Sequence, residues 1–255
     1  MKQLIVNADD CNLTPGVTEA ILKCHDRGIV TSTSFLVNLP CHNATVRKIK
    51  SRRELGVGLH LNVTLGRPVS EVFEVRSLLD DQGSFRRPQD YAAQKPKADE
   101  LETEYRGQVE LFRRVFGLLP THLDTHHQMH DERLFFQVIE KLARDYRLPV
   151  RRARLMGHQC RLKTTDFLFG NVDPSHHWDA MVLTEILRNL PEGTSEIMCH
   201  PGKNDAALRK VSSLTTARAE EYEIFSSPVF RRMVRNLGIS LTHYGVCYNK
   251  TTKHR

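Results

Sequence analysis

A chain of 255 residues that is 40% hydrophobic and 26% charged can bury one large core, which excludes an intrinsically disordered protein. Its formal charge of +7 is scattered over pairs such as Arg52-Arg53, Arg86-Arg87 and Arg231-Arg232 rather than gathered in a basic arm, so no nucleic-acid partner is expected. No apolar run approaches the roughly 18 residues that span a bilayer, no charged leader precedes the first strand, and no cysteines form a C-x-x-C pair, so the expectation is a cytoplasmic protein with free thiols, no membrane association and no zinc knuckle.

Short apolar and β-branched runs predict strands at 3–7, 30–38, 56–63, 121–124, 149–152, 195–199 and 239–242. Amphipathic patterns lie between them. Thr14 caps a first helix that has Pro15 at its start and Gly28 just past its end. Residues 66–97 are polar and rich in Pro, Gln and Asp, and are read as a long functional or mobile excursion over the mouth of a barrel. The longest helical pattern, 98–116, places Leu101, Tyr105, Val109, Phe112 and Phe116 three or four residues apart. Patterns at 131–144, 179–190 and 228–236 complete the series. Strand–helix alternation with short connections implies parallel pairing and right-handed crossovers. The expected fold is therefore α/β, a barrel or barrel-like closed sheet forming a single domain over 1–250, with 251–255 as a frayed tail.

The run Leu4-Ile5-Val6 opens at its carboxyl end onto Asn7-Ala8-Asp9-Asp10. Two adjacent carboxylates at the end of a buried strand are costly unless something offsets their charge. A divalent metal is the simplest solution, with one Asp binding it and the other acting as a base. Asp also favours helix starts, but Thr14-Pro15 already supplies one.

Three more polar clusters end predicted strands: His60 in Gly58-Leu59-His60-Leu61-Asn62, then Asp124-Thr125-His126-His127, and His200 in Cys199-His200-Pro201-Gly202. A parallel α/β barrel gathers such ends on one face. There Asp10, His60 and His126 can make an Asp-His-His set around a divalent ion, with positions left for water and substrate. Asp9 would then take a proton from water, and His200, on the opposite side, would donate to the leaving group of an amide. A lone His60 on an apolar strand is more often a hydrogen-bonded core residue; repetition at four strand ends is what favours a site. Asn62, Asp124, Arg151 and His127 are read as groups that touch substrate or support the ligands. Asp124 would orient a histidine ring, and Arg151 would hold Asp9 in its charged form or bind a substrate oxygen. His130 lies in the same turn, and His176-His177 beside Trp178 form a candidate substrate edge.

These stretches resemble the YdjC-like carbohydrate deacetylases, which include chitooligosaccharide deacetylases. The matching pieces are 4–10, 56–62, Gly66-Arg67-Pro68-Val69, 121–126, 196–202 and 237–241, in order along nearly the whole chain. The resemblance implies a distorted (β/α) barrel related to polysaccharide deacetylases. It also implies one divalent metal ion, usually taken as Mg2+, and removal of acetyl groups from N-acetylated mono- or oligosaccharides. Asp10, His60 and His126 match the metal positions, Asp9 the base and His200 the acid; the choice between Asp9 and Asp10 rests on this likeness alone. On ligand chemistry, two imidazoles and a carboxylate suit Zn2+ or Mn2+ better than Mg2+.

The chain departs from the family at Cys11-Asn12, where Phe-Gly is usual, and at His127, where Gln is frequent. Loss of the glycine is expected to change the turn, and loss of the aromatic ring a sugar-contacting wall. The rival readings are another metal-dependent amide or ester hydrolase on the same scaffold, and a non-catalytic carbohydrate-binding protein. A phosphoester substrate is disfavoured, because 11–16 contains one glycine where a phosphate cradle would want several. An exposed apolar helix face leaves room for a homodimer.

Overall fold

The computed structural model describes residues 1–157, 161–170 and 178–248; Cys160, His176-His177 and 251–255 lie outside the described residues. In chain order the elements are β1 (Lys2–Cys11), α1 (Pro15–Arg27), β2 (Ser32–Phe35), α2 (Asn43–Lys50), β3 (Gly56–Leu61), α3 (Asp90–Ala93), α4 (Ala98–Phe116) and β4 (Leu123–Thr125). They continue with α5 (Arg133–Tyr146), β5 (Phe167–Phe169), α6 (Ala180–Arg188), β6 (Gly193–Cys199), α7 (Leu208–Val211), α8 (Thr216–Phe225), α9 (Pro228–Asn236), β7 (Ser240–Thr242) and α10 (Tyr244–Tyr248). The chain divides into two compact units, the first made of Met1–Phe35, Ser51–Val57 and Thr165–Arg255, the second of Leu36–Lys50 and Gly58–Thr164.

In the first unit β1 is the hub. It pairs in parallel with β6 from Lys2↔Gly193 to Ala8↔Cys199. Its other edge is shared: β7 takes Gln3 to Ile5 and β2 takes Asn7 to Cys11. Leu4, Ile5, Val6 and Ala8 are fully buried, as expected for a parallel strand covered on both faces. Burying each of the three larger side chains contributes about 1.5–3 kcal/mol. The strand runs past the predicted end at residue 7 to include Asp9 and Asp10, with a register irregularity against β2 between Ala8 and Cys11. α1 starts as its sequence signals require. Thr14 Oγ1 accepts from Val17 N at 3.2 Å, with Pro15 in the first turn.

In the second unit β3 and β4 pair in parallel with Leu59↔Leu123, His60↔Asp124 and Leu61↔Thr125. Gly58 sits where a Cβ would come within 2.2 Å of the His122 ring, so the glycine is what admits this buried histidine beside the strand. Residues 149–152 do not form the predicted strand. They contribute a single parallel bridge, Leu123↔Val150, with Arg151 N donating to Leu123 O at 2.9 Å.

The segment 66–97, expected to be a long functional or mobile excursion, is anchored at several points. It contains short 3-10 turns at Val72–Glu74 and Arg76–Leu78 as well as α3, and it buries Val75, Leu78, Leu79, Phe85 and Tyr91. The Tyr91 hydroxyl donates to Val63 O and Leu78 O. α4 presents a polar inner face to the same segment: the buried Glu104 carboxylate accepts from Val69 N and Ser70 N, both at 3.0 Å. Burial pushes the Glu104 carboxyl above its usual range against the pull of those donors.

Candidate active site

The first unit holds the carboxylate pair and His200. Because Ala8 pairs with Cys199, the next residues of the two strands, Asp9 and His200, are also neighbours, and His200 Nε2 lies 3.8 Å from Asp9 Oδ2. Base and acid were expected on opposite sides; here the two side chains face one another. Asn7 Nδ2 holds Asp9 Oδ1 at 2.8 Å and also donates to Ser34 Oγ at 2.7 Å.

Asp10 adopts φ 65° and Asn12 φ 80°. Both lie in the left-handed region, where Asp and Asn cost less than other non-glycine residues because their short polar side chains bond locally. Asn12 thus occupies the left-handed backbone region that glycine enters most easily. Asp10 is buried and ion-paired to Arg218, and the His200 backbone N donates to the buried Glu221 carboxylate. Neither Arg218 nor Glu221 was anticipated from the sequence.

The second unit holds the histidines. The strand register sets His60 opposite Asp124, and His60 Nδ1 donates to Asp124 Oδ1 at 2.8 Å. Asp124 also receives Arg151 Nη1 at 3.1 Å, while His122 Nε2 lies 4.0 Å away. Arg151, expected to face Asp9 or substrate, is a buried partner of Asp124. Burial pushes the Asp124 carboxyl up, but His60 and Arg151 beside it outweigh that and hold it well below the usual carboxylate range. An ionised Asp124 only accepts, so the His60 proton sits on Nδ1 and Nε2 is the ring atom able to bind a metal.

The His126 ring lies edge-on to His60 with centroids 5.4 Å apart, and His127 is 3.8 Å from His126. His127 and Gln128 are both left-handed, at φ 54° and 52°. Thr64 Oγ1 bonds His127 Nδ1 at 2.9 Å, and Thr125 Oγ1 bonds the buried His130 at 2.6 Å. Asn62 is held within its own loop. Its Oδ1 accepts from Thr64 N and Leu65 N, its Nδ2 donates to Asn38 Oδ1 and Leu65 O, and Gln108 grips its backbone N–H and C=O. A cleft of about 580 Å3 opens beside His127, walled by Tyr91, Met129 and Phe135.

Carboxylate and imidazole donors able to hold a metal ion are thus present, Asp10 in the first unit and His60 and His126 in the second. No helix among the described residues is long and apolar enough to cross a membrane.

Known proteins match this chain over its length. The family model described as "YdjC-like protein" matches residues 3–236. A protein of Geobacillus stearothermophilus named carbohydrate deacetylase is 35% identical over 248 residues, covering 96% of this chain and 97% of the relative. A crystal structure of an Enterococcus faecalis protein, named for cellobiose-phosphate cleavage, superimposes with a TM-score of 0.85 at 30% identity, covering 97% of this chain and 99% of the other. The Xyl-CE4 domain of a multidomain xylanase from the hindgut metagenome of Trinervitermes trinervoides matches with a TM-score of 0.58 over 98% of this chain and 90% of the other. At 11% identity that last likeness concerns the fold alone, and it bears out an α/β fold of the polysaccharide-deacetylase type.

Proposed function

Because the chain belongs to the YdjC-like protein family, we propose that it is a carbohydrate deacetylase, a hydrolase that releases acetate from N-acetylated mono- or oligosaccharides. The observation that carries this reading is the match to a relative of that name at 35% identity across 96% of the chain. We take residues 1–250 as one functional domain. Asp10, His60 and His126 are assigned as ligands of one divalent ion, Mg2+ by family likeness and Zn2+ or Mn2+ by donor chemistry. When bound, such an ion polarises the acetamide carbonyl and acidifies water.

The chain's own groups then carry the protons. Asp9 accepts the proton of the attacking water at a carboxylate oxygen, oriented by the Asn7 amide. His200 delivers a proton from its ring to the departing sugar amine, without which the C–N bond would expel a strongly basic amide anion. Asp124 fixes the His60 ring and keeps it from rotating. The cleft beside His127 has a volume in the range of ligand pockets, which supports contact with a sugar beyond the reacting one. A cytoplasmic location and a small carbohydrate as substrate complete the proposal, with room for a homodimer.

The test is acetate release from a panel of N-acetylated sugars of one to four units. The panel includes phosphorylated disaccharides, since the Enterococcus relative's name refers to one. Release that stops with a chelator and with His126→Ala supports the assignment. Metal-loaded protein that releases no acetate from any of them refutes it.

A further inference from the structure

Taking the metal-dependent deacetylase reading as given, we propose that α8 is a positioning element: Arg218 fixes the Asp10 carboxylate, and Glu221, one turn later on the same face, fixes the chain at His200. Arg218 Nη2 donates to Asp10 Oδ2, and the His200 backbone N donates to Glu221 Oε2. The i, i+3 spacing turns both side chains inward, and both are buried. The helix is drawn close by the backbone, with Gly202 N donating to Arg218 O at 2.9 Å. A Cβ on Gly202 would fall 3.3 Å from Arg218 Cβ and Cδ, so the glycine after His200-Pro201 is what lets the arginine stem lie against that strand end.

Stability alone does not account for this pair. A buried arginine is expensive to desolvate, and an apolar side chain of similar volume would pack as well or better. Among the described residues, Arg218 Nε and Nη1 are buried without a hydrogen-bond partner, so the guanidinium is not spread over many acceptors to tie the helix in place. Its ion pair goes to Asp10, whose backbone is left-handed and whose carboxylate needs one fixed orientation to serve as a ligand. Outer hydrogen-bond partners of metal ligands act in this way.

The experiment compares wild type, R218M, R218K, E221L and E221Q. Folding is followed by circular dichroism and melting temperature, Mn2+ affinity by calorimetry, and kcat and KM on the best sugar of the panel. R218M is expected to weaken Mn2+ binding about 10–100-fold, and R218K less, because an ammonium keeps one charged donor for Asp10. In a D10N background the Arg218 substitutions should add no further loss of affinity. E221L is expected to leave Mn2+ affinity unchanged and to lower kcat with KM constant, while E221Q, which keeps an acceptor, restores it. If R218M does not fold, R218K and the D10N/R218K cycle carry the same comparison. Arg218 variants that bind Mn2+ like wild type, or an E221L protein altered only in melting temperature, overturn the positioning role while the deacetylase reading stands. Wild type that neither binds Mn2+ nor releases acetate overturns both.

Discussion

The two units handle charge in opposite ways. The first crowds carboxylates, Asp9, Asp10 and Glu221, at the ends of β1 and β6, with Arg218 paired to Asp10, the His200 ring beside Asp9 and the His200 backbone N donating to Glu221. It does so on irregular backbone, with a register break in β1 and left-handed residues at 10 and 12. The second unit sets two imidazoles, His60 and His122, against one carboxylate, Asp124, and strand register places His60 opposite it. The carboxylates of the first unit sit on bent backbone, whereas His60 and His122 of the second face a shared acceptor. The first unit should therefore be sensitive to backbone change, and the second to loss of Asp124.

The largest effect is expected at Asp9. Asp9→Asn removes the proposed proton acceptor and should lower the rate of acetate release by about 10^2–10^4-fold, with little change in melting temperature. Comparable activity in the variant would move the base elsewhere.

Next comes Asp124→Ala, which strands the buried Arg151 without its anion and should cost about 3–5 kcal/mol in denaturant unfolding. The pH dependence follows with a definite sign. Asp124 has a folded pKa below its unfolded value of about 3.9, so its contribution is complete above that value and is lost as pH falls toward the folded pKa. Acid unfolding curves of Asp124→Asn should lack this component. Glu104 works the other way: its raised carboxyl favours the fold at low pH, a contribution lost as pH rises through its folded pKa. Glu104→Gln should flatten that slope.

The smallest effect separates the backbone argument from the chemical one. Asn12→Ala should destabilise by about 1–2 kcal/mol, since alanine pays the full left-handed cost, while Asn12→Gly should be close to neutral in thermal unfolding. Equal stability of both would remove backbone bending from the comparison.

Much of this organisation is legible in the residues, for identifiable reasons. α4 and α9 begin and end where apolar spacing and the Pro228 start signal place them. Four polar clusters at strand ends were visible because each follows a short apolar run. β5 was not, being three residues long and half exposed. α8 escaped for a more instructive reason: its buried positions are Ala217, Arg218, Glu221 and Phe225, so half of its inner face is charged and carries no hydrophobic period. The two side chains that grip Asp10 and the His200 backbone are the same ones that hide the helix from a pattern search. Likewise, the buried Glu104 of α4 anchors the start of 66–97 through Val69 N and Ser70 N, a polar contact that no hydrophobic period signals.

The backbone at position 10 also bears on redesign. A residue with φ 65° is accommodated most cheaply by Gly, Asn or Asp, and a residue such as Cys pays a left-handed backbone cost before any question of coordination arises. Exchanging the proposed oxygen donor for a thiolate to recruit a softer ion would meet that conformational cost first. Successful changes of metal preference are better sought at His60 or His126, where ordinary strand geometry and the turn that follows it leave the choice of side chain to chemistry.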